Sequence, residues 1–191
     1  MGNMCKNSAE TCIRCGWVNP ANPEYIRYHD EEWGVPVHDD GKLFEMLVLE
    51  SFQAGLSWEC ILNKREAFRK AFSGFDPREV ATFSPEKMVE LQQDSGIVRN
   101  RRKISSAVNN ARIFLEIQKE FGSFDGYLRS ITGNKVYFET GKTHSELSDR
   151  LSADLYQRGM KFVGTVIIYS FLQAIGVINS HECQCYLHNR Q

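Results

Sequence analysis

The chain has 191 residues, with 23 Lys plus Arg against 24 Asp plus Glu and a net charge of −1. At that length, with 42% hydrophobic and 25% charged residues, it can bury a core of its own, which excludes a disordered polymer, a collagen-like fibre and a coiled coil. Bulk charge points to neither nucleic acid nor membrane, so an anionic partner would have to meet a local basic patch.

Residues 1–14 are polar and lack the hydrophobic run of a signal peptide. Lys6 stands where a myristoylation signal starting at Gly2 needs Ser or Thr. Six cysteines are too sparse for a disulfide scaffold, and the expected compartment is the reducing cytoplasm, where clustered cysteines more often mark metal. Over residues 43–52 the apolar positions recur at three- and four-residue steps after Asp39 and Asp40, which predicts a capped helix. Gln53-Ala54-Gly55-Leu56 breaks it, and Ser57 caps a second helix predicted to reach Phe72. Asp76-Pro77 and Ser84-Pro85 read as N-caps followed by proline in the first turn. A long helix is predicted from about Asn100 to Phe121, with Ile104, Val108, Ala111 and Leu115 on one face. Residues 132–142 fit no helix and read as a loop or short hairpin. Two further helices end at Gly159 and Gly176. The apolar stretch 162–178, interrupted by Ser170 and Gln173, is short for a membrane span and reads as a buried core helix. The predicted fold class is all-α, in one domain.

Three groups of residues could carry chemistry. Metal-ligand types gather at both ends: Cys5, Cys12, Cys15 and His29, then His181, Cys183, Cys185 and His188. Thiolates with imidazoles are the mixture zinc prefers in a closed structural shell. Cys12 and Cys15 have the gap of a zinc knuckle, and one helical turn would put His181 and Cys185 on the same face. The residues leave open a four-cysteine or a mixed set. The second group is the turn from Asp94 to Arg99, with Gly96 at its tip, followed by Arg101, Arg102 and Lys103. A tight turn opening a helix offers backbone N–H groups to a phosphate, and the basic residues add a local field. The third is aromatic: Trp17, Tyr25, Tyr28, Trp33 and Trp58 include every tryptophan, and Glu50 interrupts the apolar run Met46-Leu47-Val48-Leu49. A carboxylate beside aromatic faces suits a flat cationic ring. Periodicity does not decide between Glu45 and Glu50.

Several strings are specific. Arg14-Cys15-Gly16-Trp17-Val18, Tyr28-His29-Asp30, Glu32-Trp33-Gly34-Val35-Pro36, Leu43-Phe44-Glu45-Met46, Leu49-Glu50 and Gln53-Ala54-Gly55-Leu56-Ser57-Trp58 resemble the bacterial 3-methyladenine DNA glycosylase I family. So do Asp94-Ser95-Gly96-Ile97, Lys103-Ile104 and Lys161-Phe162-Val163-Gly164-Thr165. The resemblance implies an all-α, helix-hairpin-helix glycosylase domain over residues 14–188 after an extra tail at 1–13. Its hairpin would lie around 85–120, and a structural zinc would join the ends at 15–29 and 181–185. Cys15, His29, His181 and Cys185 would be the ligands, with Cys5, Cys12 and Cys183 as bystanders. Glu50 would act on the base, Trp17, Tyr25, Tyr28, Trp33 and Trp58 would surround it, and Gln53, Gly55 and Leu56 would fill the gap left in the duplex. Gly96, Arg99, Arg101, Arg102 and Lys103 would hold DNA. The implied activity is hydrolytic release of 3-methyladenine from alkylated double-stranded DNA, by a monomer in the bacterial cytoplasm with no membrane attachment. Residues 126–143 match poorly and receive no function. No Asp occurs between Asp94 and Asp125, so the carboxylate that most relatives of the wider superfamily place after the hairpin is absent. The competing readings are a non-catalytic zinc module that binds DNA and a zinc hydrolase, the latter disfavoured because no His-Glu-x-x-His string is present.

Overall fold

Short polar side chains followed by proline or an acidic first turn start nearly every helix. The structure, a computed structural model, describes residues 12–188. The expected tail at 1–13, with Cys5, lies outside the described residues except for Cys12 and Ile13. Asn22 accepts from the N–H groups of Glu24 and Tyr25 to cap α1 (Pro23–Arg27), which continues into a five-residue π-turn, Tyr28–Glu32. Asp39 caps α2 (Asp40–Gln53), and Ser57 caps α3 (Trp58–Leu62). After α4 (Arg65–Ala71), Asp76 caps α5 (Pro77–Ala81), Ser84 caps α6 (Pro85–Gln93) and Asn100 caps α7 (Arg101–Phe121). Then come α8 (Phe124–Thr132), β1 (Tyr137–Phe138), α9 (Glu146–Gln157), α10 (Thr165–Ala174) and β2 (Ile178–Asn179).

Four expectations need correction. The helix predicted from Ser57 to Phe72 is two helices. Asn63 is held by Asn22 at 2.9 Å, and Lys64 donates to the Ser95 carbonyl at 3.0 Å, so tertiary bonds break the helix where propensity would continue it. Residues 132–142 form no hairpin: β1 pairs in parallel with β2, Tyr137 opposite Ile178 and Phe138 opposite Asn179. The stretch 162–178 is helical only as α10, because Phe162 takes φ 53° and Gly164 serves as N-cap ahead of it. Finally, α8 was not expected. Its first N–H groups are satisfied from afar, the Asp40 carboxylate accepting from Phe124 at 2.8 Å and Asp125 at 3.0 Å.

The core is built around α2, where every residue from Leu43 to Phe52 is buried. A helix apolar on all sides belongs at the centre of a domain, and α3, α7, α8 and α10 pack about it. On α7 the buried stripe runs through Ile104, Ala107, Val108, Ala111, Phe114 and Ile117, with Leu115 half-buried at its edge. Phe52, Phe68, Phe72 and Phe75 form an aromatic stack beside it. Glu45 is buried for a structural reason. It accepts from Arg65 Nε at 2.7 Å, while the other end of that guanidinium grips Glu32 at 2.8 and 2.9 Å. Burial alone would push both carboxyls up, but Arg65 overrides it, holding Glu32 at about 2 and Glu45 below its ordinary range. This knot pins the π-turn, and hence Tyr28, against α2. No helix among the described residues is long and apolar enough to cross a membrane.

Candidate active site

The far end of α2 opens into a cavity of about 320 Å³. Trp17, Tyr25, Tyr28, Trp33 and Trp58, all expected at a base pocket, line it together with Glu50 and Gln53. Trp17 packs edge-on to Trp33 with centroids 4.9 Å apart and tilts against Tyr25 at 5.3 Å. Tyr28 and Trp58 make a second aromatic pair at 5.2 Å. The aromatic side chains come from three separate segments, and the Arg65 knot and the capped start of α3 fix two of them.

Glu50 is 4% exposed, and no hydrogen bond or ion pair reaches its carboxyl among the described residues. Burial alone pushes it up to about 8. In the free pocket at pH 7 it is therefore mostly a neutral acid, able to donate one hydrogen bond and accept others. Burial also keeps the Tyr28 and Tyr25 hydroxyls protonated, reinforced by Glu50 for Tyr28 and by Glu59 and Glu50 for Tyr25.

Next to it, Gln53-Ala54-Gly55-Leu56 forms a projecting turn. Gly55 sits at φ 80°, Leu56 is 38% exposed, and Gln53 Nε2 donates to the Leu56 carbonyl at 2.7 Å. Lys103, expected on DNA, is here instead. It is buried, and its Nζ donates to the carbonyls of Phe52 at 2.8 Å and Ala54 at 2.6 Å. The orphan carbonyls at a helix C-terminus attract a cation, so Lys103 braces the projecting turn and is not available to phosphate.

Between α6 and α7 the turn from Asp94 to Arg99 exposes Arg99, Arg101 and Arg102. Gly96 is needed here, because a Cβ would meet Asp94 Oδ1 at 2.9 Å and the Ala67 Cβ at 3.0 Å. Its N–H, expected on phosphate, donates to Asp94 Oδ1 at 2.7 Å. The N–H groups of Ser95, Val98 and Arg99 make no hydrogen bond among the described residues and are the open donors of the turn.

At the chain ends, donor atoms of Cys15, His29 and Cys185 lie within 4.8 Å of one another, all three residues buried. Backbone N–H groups of Glu182 and Leu187 point at the Cys15 and Cys185 sulfurs at 3.4 and 3.5 Å. The Nδ1 edge of His29 is taken by Asp30 at 2.7 Å, and Asp30 is gripped by Arg14. Burial pushes the Cys15 thiol up to about 12. His181 is adjacent, its ring 5.2 Å from that of His29 and its Nδ1 on Asn179 Oδ1 at 3.0 Å, but it is not one of the three convergent donors. It shares no helical turn with Cys185, since residues 181–182 are irregular and 183–188 form turns and a bend. Cys12 and Cys183 stand outside the cluster. The ends and the cavity share walls: Trp17 packs on His29 at 5.3 Å and Trp33 on His181 at 4.6 Å.

The residues not anticipated are Thr140, Gly141, Ser170, Gln173, Ser180 and Glu182, which complete the lining. Ser170 and Gln173 carried a signal: they are the polar interruptions of the apolar stretch, three apart and so on one face of α10. Thr140 and Gly141 fall in the segment given no function, and β1 pairing with β2 brings them there.

This geometry has close counterparts. The methyladenine glycosylase family model matches residues 17–188. DNA-3-methyladenine glycosylase 1 of Escherichia coli is 46% identical over 185 residues, 93% of this chain and 98% of that one. DNA-3-methyladenine glycosylase of Haemophilus influenzae is 38% identical, over 90% and 97% of the two chains. A crystal structure of 3-methyladenine DNA glycosylase I superposes with a TM-score of 0.88 at 43% identity, covering 92% of this chain and all of that one. The Staphylococcus aureus enzyme, solved for its 3-methyladenine recognition, gives 0.85 at 37% identity over 89% and 94%. The aromatic pocket closed by a buried glutamate thus sits on a chain that belongs to the methyladenine glycosylase family.

Proposed function

We propose that this protein flips 3-methyladenine out of alkylated duplex DNA and hydrolyses its glycosidic bond, the first step of base excision repair. The observation that carries the reading is Glu50, a buried and unpartnered acid facing an aromatic cavity. N3-methylation puts a positive charge on the base within the nucleotide, so the C1′–N9 bond breaks as its electron pair cancels that charge. The protein need only extrude the base, hold it and admit water. Unstacking costs a few kcal/mol, and stacking on aromatic side chains returns about 1–3 kcal/mol per contact. Glu50 can release its proton against the incoming cation and accept a charge-assisted hydrogen bond.

Leu56, at the tip of the turn braced by Lys103, would fill the space the base vacates. The α6–turn–α7 unit is read as the helix-hairpin-helix element. Phosphate would be anchored by the Val98 and Arg99 N–H groups and the start of α7, with Arg99, Arg101 and Arg102 supplying the salt-dependent attraction. The chemistry of Cys15, His29 and Cys185, with N–H groups aimed at both sulfurs and a carboxylate behind the histidine, fits a zinc ion. His181 Nε2 would be the fourth ligand. Such an ion would tie the chain ends behind Trp17 and Trp33 and take no part in the reaction. The domain 14–188 would act as a monomer.

The function is tested by incubating the protein with methylated duplex DNA and separating the supernatant. Free 3-methyladenine with matching abasic sites is the expected result, and DNA binding without base release would favour a non-catalytic module. Three variants test the parts. Trp58→Ala should weaken binding of free 3-methyladenine by roughly 5- to 150-fold while leaving undamaged duplex affinity nearly unchanged; equal losses would make Trp58 a packing residue. Replacing Arg99, Arg101 and Arg102 by Gln should lower the salt slope of duplex binding by about 0.9 for each phosphate that is no longer neutralised. Lys103→Met should leave that slope alone but destabilise the fold by about 2 kcal/mol, since two carbonyls lose their donor. A slope that responded to Lys103 instead would reverse the assignment.

A further inference from the structure

The segment 159–163, which leads into α10, is held by side chains from three helices. On α7, Asn110 is buried and spends its amide on one residue, accepting from the Lys161 N–H at 2.9 Å and donating to the Lys161 carbonyl at 2.8 Å. Its neighbour Asn109 donates to the Gly159 carbonyl at 3.0 Å. Ser51 on α2, next to Glu50, donates to the Phe162 carbonyl at 3.1 Å, and Ser152 on α9 donates to that of Val163 at 2.7 Å. Within this clamp Phe162 takes φ 53°, a left-handed conformation that a bulky residue keeps only under constraint. Helix termination does not require it, because Gly159 at φ 97° already closes α9.

The conformation places two side chains. Lys161 and Phe162 form one wall of an open groove, and Arg101, Arg102, Ser105 and Ser106 of α7 form the other. Phe162 is half-buried, while Arg101, Arg102 and Lys161 are exposed. Lys161 Nζ lies over the Tyr156 ring at 5.5 Å, and neither it nor Arg101 nor Arg102 makes an ion pair among the described residues. Three cations thus flank the groove with no carboxylate to neutralise them, a field that draws an anion. Both walls are fastened to the last turn of α2. Lys103, next to Arg102, donates to the carbonyls of Phe52 and Ala54, and Ser51 holds Phe162.

We propose that the backbone of the damaged strand runs through this groove between the base cavity and the hairpin turn, with Lys161 Nζ on a phosphate and the Phe162 ring against a neighbouring sugar; this rests on the glycosylase reading above. The path follows from the two fastenings. A nucleotide whose base is held at Glu50 leaves its backbone at the end of α2, and the phosphate that meets the N–H groups of the turn sits at the start of α7. The groove lies between them. Deoxyribose offers an apolar face and phosphate a charge, which matches a wall of one aromatic ring and one ammonium group. A rigid wall has a use here, since a strand with an extruded nucleotide has lost the stacking that holds its course.

The test is the affinity of full-length variants for a duplex carrying a stable abasic-site analogue, measured against salt, beside their affinity for free 3-methyladenine. Lys161→Gln should lower the salt slope by about 0.9, the share of one phosphate, and leave binding of the free base unchanged. Phe162→Gly, in which glycine adopts φ 53° without strain, should weaken duplex binding about three- to tenfold, as for a few tens of Å² of apolar contact. Its affinity for 3-methyladenine should stay within about twofold. Ethylation of one phosphate of the damaged strand should impair wild-type binding but not that of Lys161→Gln. An unaltered slope in Lys161→Gln overturns the proposal. So does an ethylation difference confined to the opposite strand, or an equal loss of duplex and free-base affinity in Phe162→Gly, which would make Phe162 a packing residue. Wild-type protein that shows these sensitivities yet releases no base from methylated DNA would keep the groove and overturn the glycosylase reading instead.

Discussion

Glu50→Gln is expected to excise 3-methyladenine at least about 100-fold more slowly than the wild type, a loss typical of removing a preorganised charge partner from a desolvated site. Glu50→Ala should lose more, since it also removes the hydrogen-bonding group. Stability should move the other way. An acid raised from 4.5 to about 8 by burial holds its proton longer in the folded chain than in the unfolded one. The folded state is then penalised progressively as pH rises through that window. At pH 8 and above the penalty is on the order of 4 kcal/mol, and Gln does not incur it. Melting temperatures of wild type and Glu50→Gln should coincide near pH 4.5 and diverge upward through pH 8, the variant melting higher. Parallel curves would mean that Glu50 is solvated, and the pocket assignment would go with it.

Loss of the proposed zinc should cost the fold more than any other single change. Cys15→Ala is expected to lose zinc, measured by atomic emission, and to melt about 10–15 °C lower, as for a loss of several kcal/mol in a chain of this size. Cys12→Ala, outside the convergent cluster, should keep both metal and melting temperature. Because Trp17 and Trp33 pack on His29 and His181 as well as lining the cavity, Cys15→Ala should also alter tryptophan fluorescence and weaken 3-methyladenine binding. A Cys15→Ala protein with full zinc content would transfer the site to other residues.

What could be read from the sequence was local. Asp39, Ser57, Asp76 and Ser84 all cap the helices they were expected to cap, because a side chain and an N–H two or three residues on are enough to define an N-cap. The base-pocket aromatics were legible as a set because they cluster in the first third of the chain, and Glu50 because a charge inside an apolar run demands a reason. What stayed hidden was long-range. Asp40 adds to the local Ser123 cap of α8 by accepting from Phe124 and Asp125, more than eighty residues away, and no sequence window contains both partners. Lys103 looked like one more member of a basic run, yet its position on α7 turns it inward onto the end of α2. Glu45 and Glu50 could not be separated by periodicity because α2 is surrounded, so no solvent face exists to sort them. Only the position of Arg65 makes one an ion-pair partner and leaves the other for a ligand.

The most direct test of the account is the affinity of the wild type and Glu50→Gln for the 3,9-dimethyladenine cation, which keeps the charge the base carries within the nucleotide, and for neutral 9-methyladenine, measured side by side by calorimetry at pH 7. If the buried acid selects the alkylated ring, the wild type should prefer the cation by at least about tenfold, equivalent to roughly 1.4 kcal/mol. In Glu50→Gln that preference should shrink to a few-fold or less, because the aromatic walls stack on both bases alike. An undiminished preference in the variant would show that selection does not reside at Glu50.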